Sequence, residues 1–336
     1  MAILITGGAG FIGSHTSVCL LEAGYEIVVL DNLSNSKPSA IEHIKAITKQ
    51  EFPFYIIDCC DLQAVRKVFE ENAIEAVIHF AGFKAVGESI QKPIEYYSNN
   101  LTSVLCVLQA MKEFGCKKFV FSSSATVYGT PKTVPIQENF PLSTINPYGT
   151  SKLMTERILE DVAKSDTNLH IALLRYFNPV GAHESGLLGE SPNGIPNNLM
   201  PYINQVALGQ LPYLSVFGND YPTHDGTGVR DYIHVVDLAR GHVNALEYLK
   251  EHPGIETFNL GTGQGYSVLD IVNAFEKACG VQIPYKITKR REGDVAACYA
   301  DPSKSKKLLH WEAKYDLNQM CIDAWNFTQE STKKTM

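Results

Sequence analysis

Short apolar runs rich in β-branched residues recur along the first half of the chain: Ile3–Thr6, Ile27–Leu30, Phe54–Ile57, Ala76–Phe80, Lys118–Ser122 and Ile171–Tyr176. Stretches of helical period separate them. Strands that alternate with helices need crossover connections, and so form a parallel sheet that helices cover on both sides. The runs are almost wholly apolar, as burial on both faces requires. The pattern predicts an α/β fold with a doubly wound, Rossmann-type parallel sheet in a first domain over residues 1–176. From about Asn178 the texture changes to Pro- and Gly-rich stretches such as Gly189–Pro201 and Gly218–Gly228, which predicts a second, smaller α/β domain over 177–336. The helical Val235–Lys250 pattern and the strand-like Thr257–Leu260 run make residues 235–262 a candidate to rejoin the first sheet.

Composition narrows the function classes. The 336 residues are 45% hydrophobic and 19% charged without a low-complexity tract, enough to build a sizeable core in one or two domains. A net charge of -7 argues against a nucleic-acid partner, because phosphate-backbone affinity rests on clustered Lys and Arg. Any anionic ligand must be met by a local site. The eight cysteines form no C-x-x-C pair and read as reduced thiols, and no metal site is expected. No segment has the build of a signal peptide or the roughly 18 apolar residues of a membrane span, so the expected setting is cytoplasmic with no membrane partner.

Ile3–Thr6 runs directly into Gly7-Gly8-Ala9-Gly10-Phe11-Ile12-Gly13 and then into an amphipathic stretch. Glycines at this spacing allow a tight strand-to-helix turn, close approach of backbone to a pyrophosphate, and helix–strand packing. Gly261-Thr-Gly-Gln-Gly265 also lies between a strand-like and a helical run but lacks the spacing, and reads as a plain turn. The decisive addition is Asp31, 18 residues after Gly13 at the end of the second strand. A carboxylate there can bind both adenosine ribose hydroxyls and repels a 2′-phosphate, which favours NAD over NADP. Asp58, after the third strand, is placed either to reach the adenine or to cap a helix.

Three Tyr-x-x-x-Lys pairs occur: Tyr128/Lys132, Tyr148/Lys152 and Tyr285/Lys289. Pro131 interrupts the first and the third lies in a strand-like run. Only Tyr148 leads into a convincing helix, Ser151–Lys164, where phenol and ammonium share one face. A free tyrosine has a pKa near 10, and bringing it close to 7 takes about 4 kcal/mol of differential stabilisation, which Lys152 and a nearby nicotinium charge could supply together. The phenolate could then take a hydroxyl proton as hydride leaves carbon. Ser124, off the C-terminal end of the Lys118–Ser122 strand, could hydrogen-bond the same hydroxyl.

Beyond these motifs, Phe80–Glu88, Ser122–Gly129, Pro147–Lys152, Leu174–His183, Gly194–Pro201, Gly226–His234 and Arg290–Asp294 resemble successive signatures of the UDP-galactose (UDP-glucose) 4-epimerases, extended short-chain dehydrogenase/reductases. The resemblance runs from residue 2 to about 315. It implies Tyr148 as catalytic base, Lys152 as its activator and nicotinamide-ribose partner, and Ser124 as the partner of the substrate hydroxyl. It implies further cofactor contacts from Gly7, Gly10, Phe11, Ile12, Asp31, Asn32, Asp58, Cys59, Phe80, Ala81, Lys84, Asn99, Ser122 and Tyr176. For the UDP-sugar it implies Asn178, Asn197, Asn198, Leu199, Phe217, Arg230, Tyr232, Arg291, Asp294 and Cys298, together with Ser124 and Tyr148. Of only seven arginines, Arg230 and Arg291 stand in the second domain, where a pyrophosphate needs planar multidentate donors.

The implied reaction is oxidation at C4 of the hexose by tightly held NAD, rotation of the 4-keto sugar, and return of hydride to its other face. Narrow members of the family place a bulky tyrosine beside the sugar's C2 substituent. That position falls here on Cys298, and Tyr299 should face the opposite way, so turnover of UDP-N-acetylhexoses is expected as well. Two alternatives stand beside this reading. A 4,6-dehydratase usually carries an Asp-Glu pair after the serine or threonine, where this chain has Ala125 and Thr126; a non-catalytic NAD-binding regulator would show a degraded catalytic set. The resemblance also implies a homodimer through first-domain helices, for which Ser89–Gly115 and Ser151–Lys164 have suitable length.

Overall fold

β1 (Ala2–Thr6), β2 (Ile27–Asp31), β3 (Phe54–Ile56), β4 (Ile74–His79), β5 (Lys118–Ser122) and β6 (His170–Tyr176) join the strand Gly254–Leu260 in one seven-stranded sheet. The computed structural model describes residues 1–192, 194, 196–291 and 294–333; Ile195 of the Gly194–Pro201 stretch and Glu292-Gly293 of the Arg290–Asp294 stretch lie outside the described residues. The strand order is Gly254–Leu260, β6, β5, β4, β1, β2, β3, and every pairing in it is parallel. Successive residues of each strand face opposite sides. Ile3, Ile5, Val29, Ile78, Val120 and Leu174 enter one core, whereas Leu4, Val28, Leu30, Val77, Phe119 and Leu173 enter the other.

Helices cover both layers. α1 (Phe11–Glu22) packs against α2 (Ser39–Thr48) and the helix Val235–Tyr248 on one side. On the other side α3 (Leu62–Glu71) and α5 (Pro93–Phe114) pack together, and α5 packs on α6 (Pro147–Ser165). The helical stretch expected from Ser89 is in fact divided: α4 (Val86–Gln91) ends before Pro93, which starts α5 at a position where proline's missing N–H matters least.

A separate core forms where the helices Leu199–Ala207, Val268–Cys279 and Leu317–Lys333 meet, with Met200, Ile203, Phe275, Met320 and Cys321 buried in it. Short strand pairs surround it. Val229–Arg230 lies between Ala297–Cys298 (parallel) and Tyr266–Ser267 (antiparallel), and Tyr285–Thr288 pairs with Leu214–Phe217. Tyr285 is therefore a strand residue, and Tyr128 closes a 3₁₀ turn over Ala125–Tyr128. Among the described residues no helix is long and apolar enough to cross a membrane. In the main sheet the direction of strand succession reverses between β1 and β4, which opens a crevice at their C-terminal ends.

Candidate active site

The glycine turn lies at that crevice. Gly7 has φ +69°, and a Cβ on it would come 2.8 Å from the amide nitrogen of Ala81, in the turn after β4. A Cβ on Gly13 would strike the carbonyl of Gly7, so helix and turn pack only without side chains there. α1 starts at Phe11 with Gly10 as N-cap; no side chain caps it and its first turn holds no acid, which leaves its amide dipoles open to an anion. Asp31 is buried, its Oδ2 accepting from the amide of Ala9 at 3.0 Å and its Oδ1 from Leu33 N and Ser36 Oγ, both at 2.8 Å.

Asp58 accepts from Asn32 Nδ2 at 3.0 Å and from Cys60 N at 2.8 Å. Burial pushes its carboxyl up, but these hydrogen bonds outweigh burial and hold it below the usual range. It is no helix cap: Asp61 caps α3 through the amides of Gln63 and Ala64. Cys59 is buried beside it in the core under β2. Phe80 packs on His242 with ring centroids 4.7 Å apart, and Asn99 Nδ2 donates to Asn100 Oδ1 at 3.0 Å. An open helix terminus, glycines that a Cβ would block and a buried acid at the second strand's end together fit a dinucleotide such as NAD.

Asn146 caps α6, its side chain accepting from Gly149 N at 2.8 Å, and Pro147 occupies the first position. These signals start the helix earlier than the Ser151 expected and place Tyr148 in its first turn, one turn from Lys152. Both side chains are buried. Lys152 Nζ donates to the carbonyl of Ser122 at 2.8 Å and lies 4.7 Å from the centre of the Phe121 ring. Burial pulls its ammonium down to about 8, against the opposing pull of Glu156.

Ser124 begins the 3₁₀ turn, its Oγ accepting from Thr126 N at 3.2 Å and from Thr126 Oγ1 at 3.0 Å. Burial pushes the Tyr148 phenol well up; Tyr176 raises it further, and the hydroxyl of Ser124 works in the other direction. The protein alone thus keeps the phenol protonated. Ionising it requires an added positive charge beside it.

A second group of predicted residues gathers on the short strands. Arg230 donates through Nη1 to the carbonyls of Val229 and Val295, both at 2.8 Å, and pairs through Nη2 with Asp294 at 3.2 Å. The Arg291 guanidinium lies 3.9 Å from the centre of the Phe217 ring. Tyr232 is buried in the second core, where burial pushes its phenol up to about 12. Asn178 opens the strand Asn178–Val180 and is exposed, as are Asn197 and Asn198. Asn198 precedes Leu199, the first residue of its helix; instead of capping it, the Asn198 side chain donates to Glu190 at 2.7 Å. Cys298 packs on the small cluster holding Ala125, Val127 and Tyr128. Tyr299 turns the other way, 3.0 Å from where a Cβ on Gly265 would stand.

Several contributors escaped sequence reasoning. Asn100 accepts from Phe83 N at 2.7 Å and donates to Phe83 O and Ser151 Oγ, joining the turn after β4 to α6. Glu190 Oε1 takes both Lys84 Nζ, at 3.1 Å, and Asn198, so it bridges a predicted cofactor ligand and a predicted substrate ligand. The Gly261–Gly265 turn encloses the buried Asp231 carboxylate, which accepts from the amides of Thr262 (2.9 Å), Gly263 (3.0 Å) and Ala300 (3.1 Å). The available signal was an acid set directly between Arg230 and Tyr232.

A family model described as GDP-mannose 4,6 dehydratase matches residues 4–324. Relatives resolve the family more finely. UDP-glucose 4-epimerase of Bacillus subtilis (strain 168) is 62% identical over 327 residues, which span 97% of this chain and 96% of that protein. The chain belongs to the UDP-glucose 4-epimerase family. Among solved structures, the family's Bifidobacterium longum member, in complex with NAD+ and UDP, superposes with a TM-score of 0.96 at 55% identity, covering 99% of each chain. The UDP-Glc/GlcNAc 4-epimerase of Campylobacter jejuni superposes with a TM-score of 0.86 at 40% identity, over 98% of this chain and 99% of that one.

Proposed function

We propose that this chain interconverts UDP-glucose and UDP-galactose at C4, using bound NAD. The observation that carries the reading is the convergence of Tyr148, Lys152 and Ser124 at the C-terminal ends of β5 and β6, beside a glycine turn built for a dinucleotide. NAD supplies a hydride acceptor and then a donor, along with the positive charge that the Tyr148 phenol needs. Gly7, Gly10, Phe11 and Ile12 face the pyrophosphate. Asp31 and Asn32 take the adenosine ribose, Asp58 and Cys59 border the adenine, and Phe80, Ala81, Lys84, Asn99, Ser122 and Tyr176 complete the cofactor's wall. Lys152 holds the nicotinamide ribose.

Tyr148 takes the C4 hydroxyl proton and later returns it, with Ser124 bonded to the same oxygen. Residues 1–176, with 235–262, act as the cofactor domain, and the remainder of 177–336 holds the UDP-sugar. Arg230 and Arg291 meet the pyrophosphate, while Asn178, Asn197, Asn198, Leu199, Phe217, Tyr232 and Asp294 frame the rest of the nucleotide. A firm hold on UDP and few fixed contacts to the hexose let the 4-keto sugar turn over between the two hydride transfers. Ala125 and Thr126 argue against a dehydratase, since neither can move protons at C5 and C6.

Cys298, far smaller than tyrosine and packed on the cluster that holds Ala125, leaves room for a C2 acetamido group, so UDP-N-acetylglucosamine and its galacto epimer are further substrates. A homodimer is supported by apolar side chains left exposed on α4, α5 and α6, among them Ile90, Ile94, Leu105 and Met154. The eight free cysteines suit the cytoplasm. The test is to incubate purified protein with UDP-galactose and no added NAD. UDP-glucose formation is expected in the wild type and its near-complete loss in Tyr148→Phe; absence of UDP-glucose from the wild type, even with NAD added, overturns the reading.

A further inference from the structure

One buried ion pair joins the helix and the two strand ends that carry the catalytic group. Glu156 lies one turn beyond Lys152 on α6, so Tyr148, Lys152 and Glu156 repeat at four-residue intervals along one helix face. Its side chain is fully buried. Glu156 accepts from Arg175 through Nε at 3.0 Å and Nη2 at 2.7 Å, and from the Oγ of Ser123 at 2.6 Å. Ser123 stands between Ser122, whose carbonyl takes Lys152 Nζ, and Ser124. Arg175 directly precedes Tyr176 on β6, and its Nη1 donates to the hydroxyl of Tyr128 at 3.1 Å and to the carbonyl of Glu138 at 3.1 Å. Tyr128 in turn donates to Asn259 Oδ1 at 2.7 Å.

Resting on the epimerase reading above, we propose that Glu156, with Arg175, is the positioning residue of this site: it fastens the ends of β5 and β6, which carry Ser124 and Tyr176, to the helix that carries Tyr148 and Lys152. Two buried charges are costly to desolvate, and a pair of apolar side chains would fill this space at least as stably. What an apolar pair cannot do is hold three backbone segments in one geometry through directional, charge-assisted bonds. The carboxylate also acts on Lys152 directly. It is the group that opposes the burial pulling this ammonium down, and the neutral His79 imidazole is the other titratable group that Lys152 acts on there. Removing it leaves the burial of Lys152 unopposed, and the ammonium loses its proton at lower pH.

Three variants of the full-length, NAD-loaded enzyme test this. Glu156→Gln should lower kcat about tenfold or more, leave KM for UDP-galactose within about twofold because the nucleotide's ligands lie on other elements, and move the alkaline limb of kcat to lower pH. Glu156→Asp, which keeps the charge but shortens the reach, should restore the limb more fully than it restores kcat. Ser123→Ala keeps the ion pair, and therefore the fold, and should still lower kcat about threefold or more at unchanged KM. The proposal is overturned if Ser123→Ala matches the wild type in kcat, or if folded Glu156→Gln keeps the wild-type alkaline limb. Since all comparisons are made against wild-type turnover, a wild type without epimerase activity refutes the functional reading instead.

Discussion

Asp31 Oδ2 accepts a hydrogen bond from the amide of Ala9 at 3.0 Å, tying the end of the second strand to the glycine turn that leaves the first. One carboxylate thus shapes the turn and faces the crevice. Asp31→Ala strips three donors of their acceptor, the amides of Ala9 and Leu33 and the hydroxyl of Ser36. A loss of about 1–3 kcal/mol of stability is expected, together with cofactor lost during gel filtration. Urea unfolding and the absorbance of the released nucleotide measure the two effects; a variant that keeps both wild-type stability and its cofactor contradicts the dual role.

The buried ammonium of Lys152 predicts an upper pH limit on turnover. Its ammonium, pulled down to about 8 by burial, loses its proton in the folded enzyme well before it would in the unfolded chain. As pH rises through about 8 the charge disappears and kcat should fall. Stability should move the opposite way, because between about 8 and the normal lysine value the unfolded chain binds more protons than the folded one. Lys152→Arg, which stays charged throughout, should lose this alkaline limb while retaining reduced activity. Profiles of kcat and of melting temperature from pH 6 to 10 decide the matter, and a limb that persists in Lys152→Arg assigns it to another group.

Asp231 is an internal anchor for the segment that carries Arg230 and Tyr232. Its carboxylate is held by the Gly261–Gly265 turn and lies between Arg230 and Tyr232 in sequence. Asp231→Ala leaves several buried amides without an acceptor and should destabilise the protein by about 3 kcal/mol or more. KM for UDP-galactose should rise in any fraction that folds, since Arg230 loses its support. Unchanged stability in denaturant would show that the turn does not depend on this acid.

The proposed role of Cys298 is to set the width of the sugar pocket. Cys298→Tyr should abolish turnover of UDP-N-acetylglucosamine and retain most turnover of UDP-galactose, because overpacking by one ring costs about 1–3 kcal/mol only where the acetamido group needs the space. Parallel assays on the two substrates test this. Equal losses on both would point to general damage and against a role in selectivity.

The alternation of apolar runs with helical stretches determined the parallel sheet, because two-sided burial leaves a signature in consecutive residues. The glycine turn with Asp31, and the Tyr148/Lys152 spacing, were legible for the same reason: each is a local pattern tied to one strand end or one helix. Relations across the chain were decided by tertiary structure. Asp31 gave no sign that it braces Ala9, the Gly261–Gly265 turn none that it wraps Asp231, and Glu156 looked like one more polar residue on a helix until folding set it against Arg175 and Ser123. A sequence shows which residues carry charge and how they repeat. Which buried donor meets which acceptor is settled only when distant segments pack, since the desolvation that makes such pairing obligatory does not exist in the open chain.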